Sequence, residues 1–144
     1  MRLAWLALLG LPLAASCQDA DRFGVGRDAK GYPQASAKEA LSSVLKAIDA
    51  KQFDYLVAQL ADPSFMDDRV KRVYAGRFDE QVRDTRTRLD PSAVKQLRKF
   101  AADGRWTLDK DSAVLALEDV KERVVRLVRK GDRWYLSHSS APEK

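Results

Sequence analysis

Residues 124–138, VVRLVRKGDRWYLSH, set two runs of apolar and basic residues on either side of Gly131 and Asp132. Valine, leucine, tryptophan and tyrosine are enriched in both, and every second position can face one side, which is the reading of a half-buried strand pair. Two residues lie between the runs and glycine comes first. That suits a type II′ hairpin, whose first central residue takes a positive φ that costs glycine nothing. The turn predicts the register: Lys130 opposite Arg133, Arg129 opposite Trp134, Val128 opposite Tyr135, Leu127 opposite Leu136, Arg126 opposite Ser137 and Val125 opposite His138. One face then carries Val125, Leu127, Trp134, Leu136 and His138, and is the expected core face; the other carries Val124, Arg126, Val128, Tyr135 and Ser137.

Moving upstream, RWTLD (105–109) and SAVLALED (112–119) show the same composition, so everything after Gly104 reads as strand. Before Gly104 the period changes. Ser36 and Glu39 form a capping box, and Ala37, Ala40, Leu41, Val44, Leu45 and Ile48 follow as one apolar stripe. Phe53, Leu56, Val57 and Leu60 repeat that spacing until Asp62 and Pro63 stop one helix and start another. Over 64–75 the candidates for burial are Phe65, Met66, Val70, Val73 and Tyr74, with Gly76 ending the helix. Phe78, Val82, Thr85 and Leu89 carry the next helix. A second Asp-Pro pair at Asp90 and Pro91 opens a last one, with Val94, Leu97, Phe100 and Ala101 inward. The fold class is α+β: N-terminal helices packed on a C-terminal curved antiparallel sheet, one domain over 36–140.

The chain has 144 residues, a net charge of +5, one cysteine and one histidine. Arg2 precedes the apolar run LAWLALLGLPLAA (3–15), which ends in the small residues Ala14 and Ala15 and is followed by Ser16, the order of a secretory signal. The run is short of the roughly 20 residues that span a bilayer as a helix. Residues 1–16 are therefore expected to be a signal peptide and the protein to be exported. The segment LAASC resembles a bacterial lipoprotein signal, which implies lipid on Cys17 as the first mature residue and a membrane anchor; ordinary cleavage with a free thiol and an uncleaved anchor are the alternatives. A disulfide within the chain is excluded by count. Residues 17–35, with three glycines, a proline and scattered charge, read as a flexible tether; as a free coil, 18 residues would span roughly 25 Å.

Amphipathic helices followed by strands ending VVRLVRKGDRWYLSH resemble the nuclear transport factor 2-like superfamily, over about residues 36–138. The resemblance implies a cone in which helices pack into a curved sheet. It also implies a range of roles, from enzymes that isomerise, cyclise or dehydrate small apolar molecules to domains that only bind. Such enzymes hold an aspartate, or an aspartate and a histidine, inside the cone. In this chain Asp54, Asp68, Asp84 and Asp103 fall on polar helical positions, so no catalytic residue carries over.

His138, Trp134, Trp106 and Tyr74 are the candidate pocket residues. His138 shares a strand face with Trp134 and Leu136, where burial would move an imidazole within the physiological range; the aromatics are core residues first. Arg123, Arg126, Arg129, Lys130 and Arg133 gather in the hairpin as a candidate basic face for an anionic surface. One histidine and one cysteine make a poor zinc set, and no cofactor or metal is expected. No glycine-rich phosphate loop opens a helix and no serine elbow is present, so nucleotide use, serine hydrolase chemistry and nucleic-acid binding lack support. The expected role is a noncatalytic envelope domain that binds a protein partner or small apolar ligand. The alternatives are an enzyme of the same fold with His138 in its pocket and a basic structural envelope protein.

Overall fold

A computed structural model describes residues 21–138. The expected signal peptide, Cys17 and the last residues of the expected domain lie outside the described residues. Five helices precede four strands. Helix α1 (Ala37–Asp49) begins at Ser36, whose Oγ accepts from the Glu39 amide at 3.1 Å; Glu39 reaches back one residue further than a capping box requires, to the Ala35 amide. Its buried stripe is the expected one except at Leu45, which is only half-buried, and Ser43 and Ala47 are buried with it.

Helix α2 (Phe53–Tyr55) runs directly into a π-helical turn over Leu56–Leu60, where an uninterrupted α-helix was expected. Every residue from Tyr55 to Ala61 is buried. A segment apolar on all sides has no solvent face and packs between layers. The wider turn suits its carbonyls to distant donors: Ala58 O accepts from Arg22 Nε at 2.7 Å, and Gln59 O accepts from both Gln34 and Arg133 at 3.1 Å. The chain then touches the sheet edge, where the Asp62 amide donates to Leu136 O at 2.9 Å and Ala61 bridges Leu136 in parallel. This covers an edge that would otherwise leave backbone groups open.

Asp62 and Asp90 cap α3 (Pro63–Val73) and α5 (Pro91–Asp103) as the Asp-Pro pairs predict. Helix α3 closes with Ala75 and Gly76 both at positive φ and the Gly76 amide on Val70 O. Val73, expected inside, is 59% exposed, because it falls on the outer side of the final turn. Helix α4 (Phe78–Arg88) follows. At Gly104 a Cβ would lie 2.4 Å from both Leu115 Cδ1 and Phe100 O, so close packing of α5 on the sheet requires glycine there.

Strands β1 (Arg105–Leu108), β2 (Ser112–Leu117), β3 (Val120–Lys130) and β4 (Arg133–Ser137) form one antiparallel meander in chain order. The hairpin register is as predicted from Lys130 opposite Arg133 to Arg126 opposite Ser137. Gly131 has φ +64° and Asp132 does not share the positive sign, in keeping with type II′. Ala113, Leu115, Leu117, Leu127 and Trp134 pack with Leu41 and Phe100 in one apolar cluster; Val44, Leu56, Val57, Leu60 and Met66 belong to a second, against which Leu136 packs.

The tether expected over 17–35 is described only from residue 21 onward. Residues 21–35 are held on the domain surface: Phe23 stacks on Phe78 with ring centroids 4.5 Å apart, Arg22 pairs with Asp67 at 2.5 Å, and Gln59 Nε2 donates to Val25 O. The Asp28 amide donates to the Tyr55 hydroxyl, and the ring of Tyr32, itself buried, packs tilted against Tyr55 with centroids 4.4 Å apart. A segment rich in glycine can still be fixed when its few large side chains find buried partners.

Candidate functional site

The arrangement that can do chemistry lies where α3, α4 and the end of β4 meet. Helical spacing puts Gln81, Asp84, Thr85 and Arg88 of α4 on one side of that helix, three and four residues apart. Together with Leu56, Phe65, Met66, Arg69, Leu89, Leu136 and His138 they line a cavity of about 140 Å³. Its wall is mainly apolar, with polar groups along the α4 side and at the strand end.

Asp84 is bound by two guanidiniums, Arg88 at 2.9 Å and Arg69 at 3.3 Å. Burial alone would raise its carboxyl pKa, but the Tyr74 hydroxyl, Arg88 and Arg69 outweigh that and hold it below the ordinary value. Asp84 is thus a saturated anion and a poor base. His138 stacks on Phe65 with centroids 4.4 Å apart. His138 is exposed on its outer side and loses water only where it meets Phe65 and the cavity wall; that partial desolvation, then the charges of Arg69 and Arg88, push its pKa down from 6.5, which leaves the imidazole neutral at pH 7.

That shift has a consequence for stability. The unfolded chain takes up a proton on His138 near pH 6.5, and the folded chain does so only at lower pH. Between those values the unfolded state binds more protons, so acidification through this window favours unfolding. Urea midpoints measured from pH 8 to 5 are expected to fall below about pH 6.5 in the parent, and to fall less steeply in His138→Gln. An equal slope in both proteins would mean that His138 is not the group responsible.

The structure separates the sequence-derived pocket residues. His138 lines the cavity. Tyr74 does not line it, and its hydroxyl lies 3.5 Å from Arg69 and hydrogen-bonds Asp84. Trp134 and Trp106 pack with Phe100 and Leu115 instead, because β4 passes from one apolar cluster to the other between Trp134 and Leu136. Asp84 was read from its polar helical position as facing away from any site; the structure places it at the cavity, and Gln81, Arg69 and Phe65 join it there.

The five hairpin bases do not form one open face. Arg133 turns inward to Gln34 and Gln59, and Lys130 reaches Asp62 and Ser64, both at 2.6 Å. Arg123 donates to Gln96 of α5, Arg126 is half-buried beside that helix, and Arg129 folds onto Gly131 O. Among the described residues, no group of three histidine, cysteine or carboxylate side chains could hold a metal ion, and no helix is long and apolar enough to cross a membrane. No protein-family model, curated protein or solved structure matches the chain.

Proposed function

We propose that the protein is a noncatalytic binding domain of nuclear transport factor 2-like shape, exported and held at the cell envelope by lipid on Cys17, with the cavity between α3, α4 and β4 as the seat of a small apolar ligand. The observation that carries this reading is the unfilled, mainly apolar space of about 140 Å³ beside a carboxylate already occupied by three donors. A ligand with the bulk of a single ring would fill that space.

Packing of 21–35 alters what the anchor implies. With Arg22 fixed to Asp67, only residues 18–20 separate Cys17 from Asp21, a reach of at most about 14 Å rather than a long free coil. An acylated Cys17 would therefore hold the Arg22 side of the domain close to the bilayer.

A second reading is an enzyme of isomerase, dehydratase or cyclase type. In its favour, a neutral His138 and two guanidiniums share one cavity, which is a base beside groups able to stabilise a developing oxyanion.

Intact mass spectrometry of the protein from its native membrane fraction, under native and then denaturing conditions, tests the leading reading. The expected result is a chain beginning at acylated Cys17 with a small extra mass that denaturation removes. An unmodified chain cut elsewhere would overturn the anchor. Conversion of the recovered ligand to an isomer or dehydrated product on incubation with fresh protein would favour the enzyme.

A further inference from the structure

We infer that the cavity takes a small carboxylate whose apolar body, about one ring in size, also bears a hydroxyl. The inference rests on reading the cavity as a ligand site. Three observations converge on this class.

The first is Gln81. It is 2% exposed and lines the cavity; its Nε2 donates to Thr85 Oγ1 at 3.0 Å, and its Oε1 has no hydrogen-bond partner. Buried amide oxygens are nearly always paired, so this acceptor is an opening for a donor brought by a ligand. Were the amide turned over, the Thr85 hydroxyl would donate to Oε1 and the amide nitrogen would face the ligand. A ligand hydroxyl, being both donor and acceptor, satisfies either arrangement.

The second is charge. Arg69 and Arg88 share the single carboxylate of Asp84, which leaves the cavity wall with an excess of one positive charge. A monoanion neutralises that excess, and a planar carboxylate matches the fork of a guanidinium. A divalent phosphate would overcompensate, and would also have to shed its water against a mainly apolar wall.

The third is shape. Phe65 and His138 stack at an interplanar angle of 14°, and Leu56, Met66, Leu89 and Leu136 complete the wall. About 140 Å³ is room for one ring within the cavity, which is partly open to solvent.

The test is calorimetric and NMR titration of the full mature chain with toluene, phenol, benzoate, and 3- and 4-hydroxybenzoate at pH 7. A hydroxybenzoate is expected to bind at least about tenfold more tightly than phenol and about three- to tenfold more tightly than benzoate, shifting the Phe65 and His138 ring signals. Arg88→Gln should reduce the advantage over phenol, and Gln81→Leu should erase the advantage over benzoate while benzoate still binds. Ala61→Leu and, separately, Leu89→Phe fill the space and should abolish all binding. If toluene and phenol bind as well as the acids, the carboxylate inference is wrong and the binding-site reading stands. If no probe binds the parent protein and the filling variants only raise its thermal midpoint, the cavity is a packing defect and both readings fall. Binding that persists in both filling variants would place the ligand elsewhere and also overturn the inference.

Discussion

Gln34→Ala is expected to lower the stability of the domain by about 2–4 kcal/mol, although residue 34 lies in a stretch whose composition reads as a loose tether. Gln34 is 2% exposed and joins three parts of the fold. Its Nε2 donates to Gln59 O at 3.1 Å and to Trp134 O at 2.8 Å, its Oε1 accepts from Arg133 at 2.7 Å, and its backbone carbonyl accepts from the Trp134 amide at 2.9 Å. Alanine keeps the backbone bond and removes the rest. What is left is a half-buried guanidinium that has lost one acceptor and a Trp134 carbonyl that has lost its side-chain donor, while Gln59 O keeps Arg133; each such loss costs about 1–3 kcal/mol where water cannot enter. Some of that is recovered because Arg133 still reaches Gln59. Urea unfolding of the full mature chain measures the change. A residue of a mobile tether would change stability by less than about 0.5 kcal/mol, and a result of that size would return 21–35 to the surface as an unattached strap.

This contrast between composition and placement explains what could be read in advance. The hairpin was legible because its signals are local: the turn glycine fixes the register, and the register fixes which side chains share a face. The helix boundaries at Asp62-Pro63 and Asp90-Pro91 were legible for the same reason, as both the cap and the fixed proline φ act within a few residues. Gln34 and Tyr32 gave no such signal, since their burial depends on the π turn and β4, which lie far along the chain. The site was harder still. Gln81 and Asp84 look solvent-facing on a helix with a modest apolar side, and only the approach of α3 and His138 turns that polar row into the wall of a cavity. A polar row spaced three and four residues apart was the available hint, and an ordinary exposed helix carries the same one. The basic hairpin misled in the opposite direction. Five cations close in sequence suggested one surface, but long side chains on a twisted pair of strands were taken up by different neighbours.

Trp134→Ala is expected to cost about 3–5 kcal/mol and to leave the chemistry of the cavity untouched in whatever fraction remains folded. Both halves of that statement follow from where β4 runs. Trp134 is 9% exposed among Ala37, Leu41, Phe100, Leu115 and Leu127, on the side of the sheet that α1 and α5 cover. Two residues later Leu136 faces the cavity, and His138 follows it at the rim. Removing the indole therefore opens a void in the cluster that joins the sheet to two helices, whereas the groups beside Asp84 keep their contacts. Because a single domain holds only about 5–15 kcal/mol in all, the alanine variant can be too unstable to study alone. Trp134→Phe keeps a ring in the same place, should cost less, and supplies a folded protein for titration with the hydroxybenzoates. Its affinity is expected to stay within about twofold of the parent. A loss of tenfold in Trp134→Phe with stability retained would make Trp134 a wall of the ligand site after all, and a loss under about 1 kcal/mol in Trp134→Ala would show that the cluster can close over the void.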